Sequence, residues 1–168
     1  MGSAELLMDA FDRVRDGVHP AANGLSVEQL SFRPDAESNS IAWLVWHLTR
    51  IQDDHVADLR GKGQRWLDAG WSDRFALPFD PGDTGYGHDP EQVGLVVAEA
   101  GALLDYFEDV HATTMAYLPT LSEADLDRVV DTRWDPPVTV RVRLVSVIAD
   151  DLQHVGQAAY VRGILHRR

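Results

Sequence analysis

Residues 144–165 read LVSVIADDLQHVGQAAYVRGIL. The periodicity of their apolar positions predicts one long helix near the C-terminus. In the middle of it, where so apolar a helix should bury Leu and Val, stand Asp150, Asp151 and His154. Residues four apart share a helix face, so Asp150 and His154 point the same way, toward what should be core. A buried charge is costly unless it is paired or bound to a metal. Two readings follow. Either Asp150 and Asp151 are a solvated edge and His154 is a core histidine bonded to a nearby carboxylate, or a cation sits on this face.

A second stretch of the same kind lies upstream. A helix is expected from about Ser40 to Arg60, with Ile41, Leu44 or Val45, Leu48, Ile51 and later Leu59 as its core stripe. Beside that stripe runs a second row, Trp43, His47, Arg50 and Asp54, at steps of four, three and four. His47 thus borders the core, with an aromatic one turn before it. His55 falls one residue off the row and ranks second to it.

Outward from these two helices, Leu7, Phe11, Val14 and Val18 predict a first helix capped by Ser3 and ending near Gly17 to Pro20. Residues 20–39 read as a linker with a short helical turn after Ser26. Residues 61–89 carry eight Gly and Pro and predict a long crossover. Its Trp66, Trp71, Phe75, Phe79, Tyr86 and His88 suit either a cluster that pins the loop or the mouth of a pocket. Asp89 followed by Pro90 opens a third helix, read as continuous to Leu118, in which His111 is structural. Ser122 opens a short helix, Val129 to Trp134 is extended, and the last helix starts at Thr139. Four long stripes with no repeat predict one domain over residues 1–168, an all-α four-helix bundle with a long crossover loop.

The composition narrows the function. A formal charge of −12 argues against nucleic acid and anionic membrane as partners. The chain has no cysteine, so a metal must be held by His, Asp or Glu, and any thiol chemistry must use a thiol from outside. No apolar run approaches membrane-spanning length, and MGSAELLMDAFDR has no signal-peptide character, so a cytoplasmic protein is expected. Lys62 is the only lysine among 15 basic residues, a usage that suits a GC-rich bacterium.

Facing helices of a bundle can build a metal site jointly. His47 from the second helix, with Asp150 and His154 from the last, would offer two imidazoles and a carboxylate. That set suits Zn²⁺, Ni²⁺ or Fe²⁺, and also Co²⁺ or Mn²⁺. Three protein ligands leave a position open for water or substrate, as in catalytic sites.

The segments WHLTRIQDDH around His47 and DDLQHVGQAAYVRGIL around His154 resemble the two signature helices of the DinB-like superfamily. That group includes YfiT-type metal-dependent hydrolases and mycothiol-dependent maleylpyruvate isomerases. The resemblance implies a four-helix bundle holding a divalent metal on His47, Asp150 and His154. Asp150 departs from it, standing where Glu or His is usual. It also implies a small-molecule substrate and a low-molecular-weight thiol such as mycothiol, whose thiolate the metal would stabilise. Arg50, with Trp43 on the same row, is then a cofactor-binding candidate. Arg50 and Asp54 could instead be an exposed ion pair. A hydrolase would need a base, for which Asp151 and Asp54 are the candidates. A third reading is a non-catalytic stress-related bundle with a degenerate site. A homodimer is compatible with all three.

Overall fold

The computed structural model describes residues 2–167. Four long helices carry the structure: α1 (Ser3–Ala22), α3 (Ile41–Arg60), α7 (Ala100–Tyr117) and α9 (Val140–Leu165). Between them lie the short helices α2 (Val27–Leu30), α4 (Arg65–Asp68), α5 (Trp71–Phe75), α6 (Pro90–Gly94) and α8 (Glu123–Asp127). An antiparallel pair, β1 (Val129–Asp131) with β2 (Val138–Thr139), leads into α9. In the bundle α9 packs on α3 and α1, and α7 packs on the same two helices from the other side. No described helix is long and apolar enough to cross a membrane.

Sequence explains most helix ends. Ser40 Oγ accepts from the Trp43 amide at 3.1 Å and starts α3, and Gly61 ends it in the left-handed region at φ 61°. Thr139 caps α9, Ser26 caps α2 and Ser122 caps α8, as their positions predict.

Two boundaries differ from expectation. α1 starts one residue earlier, with Gly2 as its cap, and runs through Pro20 to Ala22. Proline is costly inside a helix because it lacks the amide proton. Here it falls in the last turn, and Ala21 and Ala22 beyond it are buried, so packing holds that turn closed. The third helix is also not continuous. α6 stops at Gly94, residues 95–99 are non-helical, and α7 begins at Ala100. Gly94 and the β-branched Val96 and Val97 weaken helix propensity there, and Val96 turns its side chain into the core.

The core has two parts. Val14, Val18, Leu44, Leu48, Phe107 and Val155 belong to the larger one. Phe11, Leu59, Leu118, Leu144 and Val147 fill the other end of the bundle. The crossover is pinned to this core by a ring cluster in which Trp66 touches Trp46, Phe75 and Tyr106, and Trp71 also meets Tyr106. These aromatics are structural anchors of the loop, whereas Tyr86 is largely exposed.

Beneath the crossover is a buried carboxylate that the sequence does not announce. Asp53 accepts from the Arg65 and Trp66 amides at 2.8 and 2.7 Å, so it caps α4 from another helix. The Tyr106 hydroxyl donates to it at 2.8 Å and Arg50 Nη1 lies 3.8 Å away. Asp53→Ala would strand two amide donors, a tyrosine hydroxyl and a buried guanidinium. We expect it to lower stability by about 3–5 kcal/mol, read as a shifted urea-unfolding midpoint.

Candidate metal centre

His47 lies mid-way along a stretch of α3, residues 41–50, in which every residue is buried. The apolar stripe that buries α3 against α9 turns His47 toward α9. On α9, Val140, Leu144, Val147, Asp151, Val155, Ala158 and Val161 form the buried stripe. Asp150 and His154 lie beside that stripe, half-buried, on the edge that meets α3. His47, Asp150 and His154 each bring one donor atom into a group whose members all lie within 4.8 Å of one another. Asp150 Oδ2 is 4.0 Å from His47 Nε2, and Oδ1 is 3.6 Å from His154 Nε2.

The far side of each imidazole fixes its tautomer. His47 Nδ1 lies 2.6 Å from the Thr84 carbonyl, which only accepts, so Nδ1 carries the proton. His154 Nδ1 donates in the same way to Gln157 Oε1 at 2.9 Å. In their neutral forms both rings therefore turn an Nε2 lone pair toward a carboxylate. Asp150 Oδ2 is itself buried, with no hydrogen-bond partner among the described residues. Two lone pairs and a carboxylate facing one another are stable only with a proton or a cation between them. The donor types, the backing of each Nδ1 and the orphaned oxygen all fit a divalent metal.

The titration behaviour separates the two rings. Burial lowers the His47 pKa, only partly offset by the Thr84 bond. Burial also opposes charge on His154, but its bonds to Asp150 and Gln157 outweigh it and raise the pKa. Asp150 is lowered, because His154 and His47 outweigh its own burial.

Trp43 sets the ring planes. It stacks on His47 with centroids 4.5 Å apart and meets His154 edge-on at 5.9 Å. Its Nε1 donates to His88 Nδ1 at 3.2 Å, which leaves the His88 Nε2 proton for Asp83 at 3.0 Å. Asp83 Oδ1 accepts from the Gly85 amide at 2.7 Å, and Arg50 Nε donates to the Asp83 carbonyl at 3.2 Å. Residues 83–88 thus form a strap, held by Arg50, Trp43 and His88, that presents the Thr84 carbonyl to His47. Gly85 lies in the left-handed region at φ 87°, and a Cβ there would stand 2.8 Å from Trp46 Cζ3 and 2.9 Å from His47 Nδ1.

The remaining sequence candidates fall outside the triad. Arg50 is fully buried and acts on the site through the strap. Its acidic neighbour is Asp53, not Asp54. Asp54 accepts from Gln64 Nε2 at 2.7 Å. Asp151 lies on the core stripe with both oxygens enclosed and unpartnered among the described residues. His55 Nδ1 is 3.1 Å from Arg143 Nη1, and His111 bonds Asp12 as a structural histidine. Thr84, Gly85, Asp83 and the supporting role of Gln157 go unseen in the sequence. The signals were the paired glycines at 85 and 87 and a Gln three residues after His154.

Two open clefts are lined by neighbours of the triad, though not by His47, Asp150 or His154 themselves. Toward the C-terminal end of α9 is one of about 730 Å³, lined by Asn39, Leu44, Gln153, Gln157 and Tyr160 among others. Toward the other end is one of about 620 Å³, with Asp54, His55, Thr84, Trp134 and Arg143 in its wall.

The sequence profile described as the DinB superfamily matches residues 10–158. A solved structure titled as that of a conserved protein from Enterococcus faecalis is 33% identical, with a TM-score of 0.93, covering 100% of this chain and 99% of the other. No curated protein matches the chain.

Two outcomes are expected. Gly85→Ala displaces the strap and should weaken metal binding about 10–100-fold, by chelator competition, with the helical circular dichroism kept. Burial, reinforced by the charge of Asp150, raises the Asp151 pKa well above the usual carboxylate range. Folding therefore takes up a proton. In the metal-free protein this destabilisation is absent below the ordinary carboxyl pKa of about 4 and grows as pH rises from there toward the raised native value. Asp151→Asn should flatten that fall and raise stability at pH 7 by at least ~1 kcal/mol in urea unfolding.

Proposed function

This chain belongs to the DinB superfamily, and from that premise we propose that it is a divalent-metal-dependent enzyme acting through a low-molecular-weight thiol of the mycothiol class on a small electrophile. The observation that carries the reading is the convergence of two Nε2 lone pairs on the Asp150 carboxylate, each ring backed at Nδ1. Three nitrogen and oxygen donors without sulfur suit Zn²⁺, Ni²⁺ or Fe²⁺ and leave a position open to an exogenous ligand.

When bound, such an ion supplies Lewis acidity that lowers the pKa of a thiol or water in the open position. The chain's own residues do the rest. Thr84 and Gln157 take the Nδ1 protons of His47 and His154, so that each neutral ring carries its lone pair at Nε2. Trp43 fixes both rings and, with the buried face of α3, keeps bulk water from the His47 side. The two clefts offer separate room for a thiol and its electrophile. A cysteine-free chain needs an external thiol for such chemistry, and the GC-rich residue usage favours mycothiol. The same reading places the protein in the cytoplasm, where small thiols are kept reduced.

A hydrolase is the second reading. It is favoured by Asp54 and His55 in the wall of the cleft next to the triad, with metal-activated water as the nucleophile and Asp54 as its base.

Untagged protein should carry about one divalent ion per chain by elemental analysis, lost in His154→Ala. The metal-loaded protein should then accelerate mycothiol conjugation to a small electrophile such as a bimane halide, measured by fluorescence. Full metal occupancy with no thiol transfer, but hydrolysis of activated esters or amides, would favour the second reading.

A further inference from the structure

The two rows of residues that meet at the metal centre continue beyond it. On α3, His47, Ile51 and His55 follow one another at steps of four. On α9, His154, Asp150, Ser146 and Arg143 run back toward the start of the helix at steps of four, four and three. Ile51, His55, Ser146 and Arg143 all line the cleft of about 620 Å³, together with Thr84, whose carbonyl backs His47. At 1.5 Å rise per residue, His55 stands about 12 Å along α3 from His47. Trp134 and Tyr86 belong to the same wall, 67% and 88% exposed, and offer flat apolar faces at its mouth.

Arg143 decides where His55 carries its proton. Arg143 Nη1 lies 3.1 Å from His55 Nδ1, and a guanidinium only donates. Nδ1 is therefore the acceptor, and the ring is neutral with its proton on Nε2. Burial and the charge of Arg143 lower the His55 pKa, in keeping with that state. Arg143 is held in turn by Asp131 of β1 at 3.6 Å and Asp58 of α3 at 3.7 Å. Asp54 Oδ2 is 3.7 Å from His55 Nδ1, too far for a hydrogen bond. His55 Nε2 has no hydrogen-bond partner among the described residues, and the side chain is 32% exposed. The cleft wall thus presents an oriented N–H donor with nothing of its own chain to bond.

We propose that His55 recognises the electrophile, its Nε2–H donating to a carbonyl oxygen conjugated with the carbon that the thiol attacks, and that Arg143 positions the ring. This rests on the thiol-transfer reading of the metal centre. Solvent takes the thiol proton, the sulfur bonds the β-carbon, and the alkene π pair moves onto the carbonyl oxygen. His55 Nε2–H stabilises the charge that arises there. Solvent then returns a proton to the α-carbon, and the Nε2–H bond stays intact throughout.

Metal-loaded protein should conjugate mycothiol to an enone such as benzylideneacetone, followed by loss of the enone absorbance. His55→Leu should lower kcat with the enone about 100-fold more than with a bimane halide, from which sulfur expels a halide ion instead. His55→Gln, which keeps an N–H donor, should recover most of that loss. Long-range proton–nitrogen NMR of the metal-free wild type should place the His55 proton on Nε2, and the saturated ketone benzylacetone should shift its resonance. Arg143→Met should move that proton toward Nδ1. A wild type that conjugates neither electrophile would overturn the thiol reading, while a ketone-dependent shift of His55 Nε2–H would still uphold His55 as the carbonyl donor. A His55 proton on Nδ1, a ketone without effect, or equal losses with both electrophiles would overturn the proposal.

Discussion

Two imidazole Nε2 atoms and the Asp150 carboxylate converge between α3 and α9, and much of the molecule is built to hold them there. Neutral His47 and His154 each spend the Nδ1 proton on an oxygen behind the ring and turn a lone pair inward to Asp150. With neither a proton nor a cation between them, that arrangement is repulsive. It persists because the rings are clamped by Trp43 and because α3 and α9 are fixed by the cores above and below them. The cost of arranging like against like is the physical mark of a site meant for a cation.

The strap is the less obvious half of this device. Arg50, buried in α3, fixes the backbone at Asp83. Asp83 holds His88 and Gly85, and Gly85 permits the close approach that puts a carbonyl behind His47. The crossover is therefore part of the centre, and its anchoring by Asp53 and the ring cluster around Trp66 and Tyr106 is a condition for the imidazole geometry.

The bundle was legible because four long stripes at helical spacing allow few other arrangements, and polar caps at Ser40 and Thr139 mark where two of them start. The triad was legible because Asp150 and His154 sit one turn apart beside a stripe that otherwise repeats cleanly, and His47 stands on a matching row. What stayed hidden depends on tertiary contacts. Thr84 contributes a backbone carbonyl, which any residue supplies, so its identity carries no signal. Asp53 looks like one more acid in a helix until α4 lays two amides on it. Asp151 looks like the twin of Asp150, yet one step of 100° sends it into the dry core. Pro20 reads as a stop because its burial context is invisible in the sequence. The break at 95–99 was missed because Val96 fits a helical stripe as well as it fits the core from a loop.

The most direct test is long-range proton–nitrogen NMR of the imidazoles, recorded without metal and after adding one equivalent of Zn²⁺. The metal-free protein should show His47 protonated at Nδ1 and bare at Nε2 at neutral pH. Zn²⁺ should then shift the Nε2 resonances of both His47 and His154 while their Nδ1 protons remain. Nε2 resonances unmoved by Zn²⁺, or His47 carrying its proton on Nε2, would contradict a metal centre at this site.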